Sequence, residues 1–78
     1  MIRYYFDIRD DNGIYPDEEG MEFATQREAE VEAAESLAGL ARDFATLDDR
    51  PDLSVEVRTV VGRVFQAALI FDRSETKQ

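Results

Sequence analysis

The sequence predicts an α+β fold: a two-layer sandwich of order β-(β)-α-β-β, with an antiparallel sheet of three to four strands and one helix on one face. Three observations carry this. Residues 1–9 and 53–58 alternate apolar and polar with period two; residues 25–45 carry a helix start signal and an apolar stripe; and Gly62 breaks two strand-like runs into a hairpin.

The first strand places Ile2, Tyr4, Phe6 and Ile8 on one face and Arg3, Tyr5, Asp7 and Arg9 on the other. Asp11-Asn12-Gly13 then reads as a tight turn, since Asn and Gly tolerate positive φ. A short second strand is expected at Met21-Glu22-Phe23. Thr25-Gln26-Arg27-Glu28 fits a capping box and opens a helix over about 26–45. Ala29, Ala33, Leu37, Leu40, Ala41 and Phe44 form its narrow apolar stripe, and alanine there allows close approach to a sheet. Val31, Ala34, Ala38 and Ala45 form a second, weaker apolar line, ordinary for exposed alanine.

Residues 46–52 are a polar connection in which Pro51 forbids helix. Leu53, Val55 and Val57 alternate with Ser54, Glu56 and Arg58 in a third strand. A three-residue loop, Val60-Val61-Gly62, leads to a fourth strand at about 63–71. That register pairs Val57 with Phe65, Val55 with Ala67 and Leu53 with Leu69 on one face, and Arg58 with Val64, Glu56 with Gln66 and Ser54 with Ala68 on the other. The fourth strand is the most apolar on both faces, which suits the interior. The expected sheet order is therefore third, fourth, first, second (3-4-1-2). One domain is expected over 1–72, with a frayed tail at 73–78.

A chain of 78 residues hides only about 60% of its unfolded surface, and with no cysteine its stability must come from packing or association. No stretch reads as a signal peptide, and the longest apolar run, Ala67 to Phe71, is too short to span a membrane, so a cytoplasmic setting is expected.

Function is the part on which the sequence is least informative. With no histidine, no cysteine and one lysine, Lys77, the usual general base, thiol nucleophile and Schiff-base amine are missing. A non-enzymatic protein and no cofactor are expected, with carboxylate chemistry as the enzymatic alternative. The net charge of −9 is concentrated in residues 10–35, which hold ten acids against Arg27. Nucleic acid would be repelled there and a basic protein partner favoured. The candidate interaction residues are Asp17, Glu18, Glu19 and Glu22, with Tyr5 and Tyr15 as aromatic anchors off the helix-covered face. The bland reading of each is a solvated rim and residues that shield a sheet.

Residues 10–20 also align in part with a calcium-binding EF-hand loop. With Gly13 at the sixth position, Asp10, Asn12 and Glu19 fall at ligand positions, but Ile8 falls at the first and a strand enters where a helix should. These three are weak metal candidates beside the plain reading of a hairpin turn.

Tyr5-Phe6-Asp7, Asp17-Glu18-Glu19-Gly20-Met21-Glu22 and the Ala/Glu-rich helix resemble a family of short uncharacterised proteins from rhizobia and other alphaproteobacteria. Its pattern is Tyr-Phe-Phe-Asp, an acidic Gly-containing turn, Asp-x-x-Gly-x-Glu, a helix, and a strand pair around a Gly turn. This sequence departs from it at Val60-Val61-Gly62, where the family has an acidic turn. The family is a domain of unknown function, so the resemblance implies no activity. A fainter similarity runs to HicB-type antitoxin domains, in the strand pair, the Glu-Gly segment and the helix opening at Thr25 to Ala29. It implies an acidic antitoxin that covers a basic toxin. That family adds a DNA-binding segment after this domain, and nothing in residues up to Gln78 corresponds to it.

A homodimer is also expected. One helix covers one sheet face, leaving Met1, Tyr5, Val64, Ala68 and Ile70 mixed with Arg3, Glu56, Arg58 and Gln66 on the other. The open edge of the third strand is a second expected contact.

Overall fold

The computed structural model describes residues 1–44 and 52–70. Five strands and one helix follow in the order β1 (Ile2–Asp10), β2 (Gly13–Tyr15), β3 (Met21–Phe23), α1 (Gln26–Asp43), β4 (Leu53–Thr59) and β5 (Gly62–Leu69). The expected connection at 46–51, Ala45, strand residue 71 and the tail lie outside the described residues. The fold is α+β, with an antiparallel sheet and one helix.

The helix forms where its signals stand. The Thr25 hydroxyl accepts from the Glu28 N–H at 3.2 Å, and the Glu28 carboxylate returns to the N–H groups of Ala24 and Thr25. Ala29 and Ala33 are fully buried, with Leu37 packed beside them. They meet Tyr4, Val55 and Val57, and the partly buried Phe6, Ile8, Phe23 and Phe65 close the core. Small side chains on the helix and branched ones on the sheet bring the layers close, and truncating Val55 or Val57 would open a cavity between them.

The strand order differs from expectation. It is β2-β1-β4-β5, with β3 also paired to β1. β4 is therefore interior and β5 is the edge, and the third strand of the expected order offers no edge for sheet extension. Summed apolarity is a poor guide because charges on the open face choose the neighbours. In the β1–β4 register Asp7 stands opposite Glu56, yet each acid turns diagonally to an arginine. Asp7 takes Arg58 at 2.8 Å, and Glu56 takes Arg9 at 2.7 Å and Arg63 at 3.6 Å. β5 carries no acid to meet the arginines of β1.

The β4–β5 register agrees with expectation from Leu53↔Leu69 to Val57↔Phe65. Beyond it a bulge intervenes, so Arg58 stands opposite Arg63 rather than Val64, and Thr59 opposite Gly62. The loop is thus two residues, Val60 and Val61, and Gly62, with φ of 147°, begins the next strand. The stretch at Gly13 likewise does more than turn: Asp11 and Asn12 make the turn and Gly13–Tyr15 pairs with β1 as an additional strand.

Candidate functional site

β2 and β3 lie on the same side of β1, at opposite ends. β2 pairs with Ile8–Asp10 and β3 with Ile2–Tyr4. Between them residues 16–20 leave the ladder, so the middle of β1 has no strand beside it on that side. Side chains replace it. The Phe6 N–H donates to Asp17 Oδ2 at 3.1 Å, while Asp17 Oδ1 accepts the N–H groups of Glu19 at 3.0 Å and Gly20 at 3.1 Å. One carboxylate therefore caps a strand amide and folds its own loop.

The loop is fastened from below as well. The Asp17 N–H donates to Asp7 Oδ1 at 2.8 Å, and Arg58 Nη2 donates to the Asp17 carbonyl at 3.0 Å. Arg58 Nε also donates to Asp7 Oδ2 at 2.8 Å, and its guanidinium lies 4.6 Å from the Tyr5 ring centre. Asp7, only 6% exposed, is thus a buried acid with its charge matched. Gly20 closes the loop at φ of 73°, and a Cβ there would stand 2.9 Å from the Tyr4 carbonyl oxygen and 2.9 Å from Arg3 Cγ. Arg3 then ties both ends, donating to the Glu19 carbonyl at 2.7 Å and to Glu22 at 3.2 Å.

The candidate residues separate accordingly. Asp17 is half-exposed, and its carboxylate accepts three backbone N–H groups of β1 and its own loop. Tyr5 is half-buried under Arg58. Tyr15, expected on the open face, pairs with Ile8 and so shares the helix side, where it remains 52% exposed beyond the helix. Glu18, Glu19 and Glu22 are exposed. The metal candidates do not gather. Asp10 Oδ1 accepts the Asn12 N–H at 2.8 Å in the β1–β2 turn, while Glu19 is tied to Arg3, roughly 20 Å away along β1. Among the described residues no three acidic side chains are placed to hold a metal ion.

Electrostatics fit this reading. Burial pushes the Asp17 carboxyl up, but the N–H groups of Phe6, Gly20 and Glu19 and the Arg58 charge together hold it below its ordinary value. Bonding to Asp7 outweighs burial to hold the Arg58 guanidinium above its ordinary value. A carboxylate so firmly ionised, with its oxygens engaged, is a poor proton shuttle near neutral pH. A hollow of about 260 Å³ on the open face is lined by Arg9, Asp10, Asp11, Asp52, Ser54 and Gln66, and among the described residues no three of its acids are placed to hold a metal ion.

Arg58, Asp7 and Gly20 carry this arrangement, and none of them stands among the site residues that the sequence singles out. The pieces that carry the resemblance do contain Asp7, Asp17, Gly20 and Glu22. In the structure Asp7 is the charge partner of Arg58, Asp17 the cap, Gly20 the point of tight approach, and Glu22 the tie to Arg3.

Residues 3–70 match the family described as Domain of unknown function (DUF6894). The chain belongs to this family. No curated protein and no solved structure matches it significantly. Among the described residues no helix is long and apolar enough to cross a membrane.

Proposed function

We propose that this domain is a non-enzymatic interaction module of the cytoplasm, whose exposed acidic surface takes a basic protein partner. The carrying observation is the sorting of charge. The arginines of the sheet, Arg3, Arg9, Arg58 and Arg63, are engaged by Glu22, Glu56 and Asp7. Asp10, Asp11, Glu18, Glu19, Glu30, Glu32 and Glu35 make no ion pair among the described residues. The excess negative charge is thus displayed at the β1–β2 turn, the 16–20 loop and the first half of α1. Such a surface speeds encounter with a basic partner and repels phosphate backbones.

The test is a pull-down from the source cell at low and high salt, with the Glu18→Gln/Glu19→Gln protein in parallel. Basic proteins should be retained at low salt, released at high salt, and reduced by the double variant, because exposed charges are screened within about 10 Å at 0.1 M salt. Recovery of nucleic acid, or retention indifferent to salt and to both substitutions, would sink the reading.

A further inference from the structure

The outer edge of β5 has no strand beside it among the described residues. It is an eight-residue edge, long for an unpaired one. Proteins blunt such edges with lysine, proline, inward charge or short length. Here the only charge is Arg63, next to the turn and directed at Glu56. The bulge disturbs only the stretch near Val64; Phe65–Leu69 keeps a regular register and bears no charge.

Other apolar surface lies along the same edge. Val64 (39% exposed) and Ile70 (66% exposed) flank it on or near the open face. On the other layer α1 packs over β4 and β5. β3 and β4 both run antiparallel to β1, so β3-α1-β4 is a parallel crossover, and the right-handed form turns the flank bearing Ala34 and Ala38 outward past β5. Burial agrees: Glu32 and Ser36 on the inner flank are half-buried, whereas Val31, Ala34 and Ala38 are exposed.

We propose that a second copy of this chain pairs antiparallel with β5 about a two-fold axis at Gln66, extending the sheet across both chains. The occupant follows from self-complementarity. In that register Gln66 meets the partner's Gln66, Val64 meets the partner's Ala68, and Phe65 meets the partner's Ala67, so each large apolar side chain meets a small one. The bulge takes Arg63 out of this register, with its side chain directed at Glu56, and no like charges on the regular stretch Phe65–Leu69 oppose each other. Overall charge permits the approach at this edge. Each chain carries −9; its acidic loop stands at the opposite edge, three strands and roughly 15 Å away, beyond the screening length, whereas the exposed Glu30 shares the outward flank of α1 with Ala34 and Ala38 and opposes the helix part of the contact. The contact strip, one strand long and two layers deep, is about 25 Å by 20 Å; this gives about 1,000 Å² in total, at the lower limit for a specific interface. The dimer is therefore a weak, concentration-dependent one.

Sedimentation equilibrium from low micromolar to millimolar protein tests this. The mass should rise from one chain to two. Ala34→Glu/Ala38→Glu, both exposed positions whose change leaves the circular dichroism unaltered, should weaken association about tenfold or more. Ile14→Glu, on the open face beside Arg9 and far from β5, should leave it unchanged. Hydrogen exchange should show the β5 amides that face away from β4 gaining protection as concentration rises. One-chain mass at all concentrations would overturn the proposal. So would a dimer split by Ile14→Glu but not by the helix variant, or edge amides already protected in the monomer.

Discussion

The two edges of the sheet are built on opposite principles. At the β1 edge the neighbouring strand is broken into β2 and β3, and side chains fill the gap: Asp17 caps Phe6, Gly20 passes close to Tyr4, and Arg3 and Arg58 hold the loop. At the β5 edge a continuous strand stands open among the described residues. A broken edge strand leaves amides that must be satisfied one by one, so that edge depends on individual residues. An unbroken edge satisfies its inner ladder by backbone alone, and its exposed open-face residues, Gln66 and Ala68, are interchangeable so long as the chain is monomeric, while Phe65 packs on the core.

Substitutions should therefore separate the edges. The largest effect is expected for Gly20→Ala. A residue with a Cβ at φ of 73° costs about 1–2 kcal/mol, and contact with the Tyr4 carbonyl adds to it, for about 3 kcal/mol in all. Urea unfolding should show the midpoint fall; an unchanged midpoint would mean the loop adapts freely. Asp17→Ala comes next. It removes the acceptor of three N–H groups at a half-exposed position, worth about 2 kcal/mol, and thermal unfolding should drop by roughly 10 °C.

The same variant carries a pH signature. The folded Asp17 carboxyl sits below its ordinary value of 3.8. Its ionised form then stabilises the fold at all pH values above 3.8, and that contribution fades as pH falls through the lower folded value. The stability gap between the natural chain and Asp17→Ala should be constant near neutrality and close below 3.8. A gap that stays constant in acid would mean the charge of Asp17 is irrelevant. The smallest effect belongs to the other edge: Gln66→Ala, in dilute monomer, should shift stability by no more than about 0.5 kcal/mol.

Much of the architecture is legible in residue patterns. Alternation marks β1 and β4, the Thr25–Glu28 box marks the start of α1, and most of the β4–β5 register follows from apolar matching. These are local signals with one dominant period each. Strand order is not legible, because it rests on diagonal ion pairs between residues about fifty positions apart, which no period reveals. The loop at 16–20 is opaque for a related reason. Its acids look alike as a string, yet Asp17 turns inward while Glu18 and Glu19 turn out, and only the position of the Phe6 N–H decides which does which. The bulge beside Val64 comes from the two-residue turn, which leaves one residue too many on β5.

The Asp7–Arg58 pair has a kinetic consequence. It joins residues 51 positions apart across the central strands. Closing a loop of that size costs roughly 3–4 kcal/mol of chain entropy before the contact returns anything. β1 with its two partners β2 and β3, the helix, and the β4–β5 hairpin each need only short closures. Pairing of β1 with β4 is therefore the contact expected to limit the folding rate. Until it happens Tyr4, Phe6 and Ile8 lie without the strand that completes their layer. The Asp17 bonds to Phe6, Glu19 and Gly20, closed within eleven residues or fewer of sequence, already hold the other side of β1 shut during that wait.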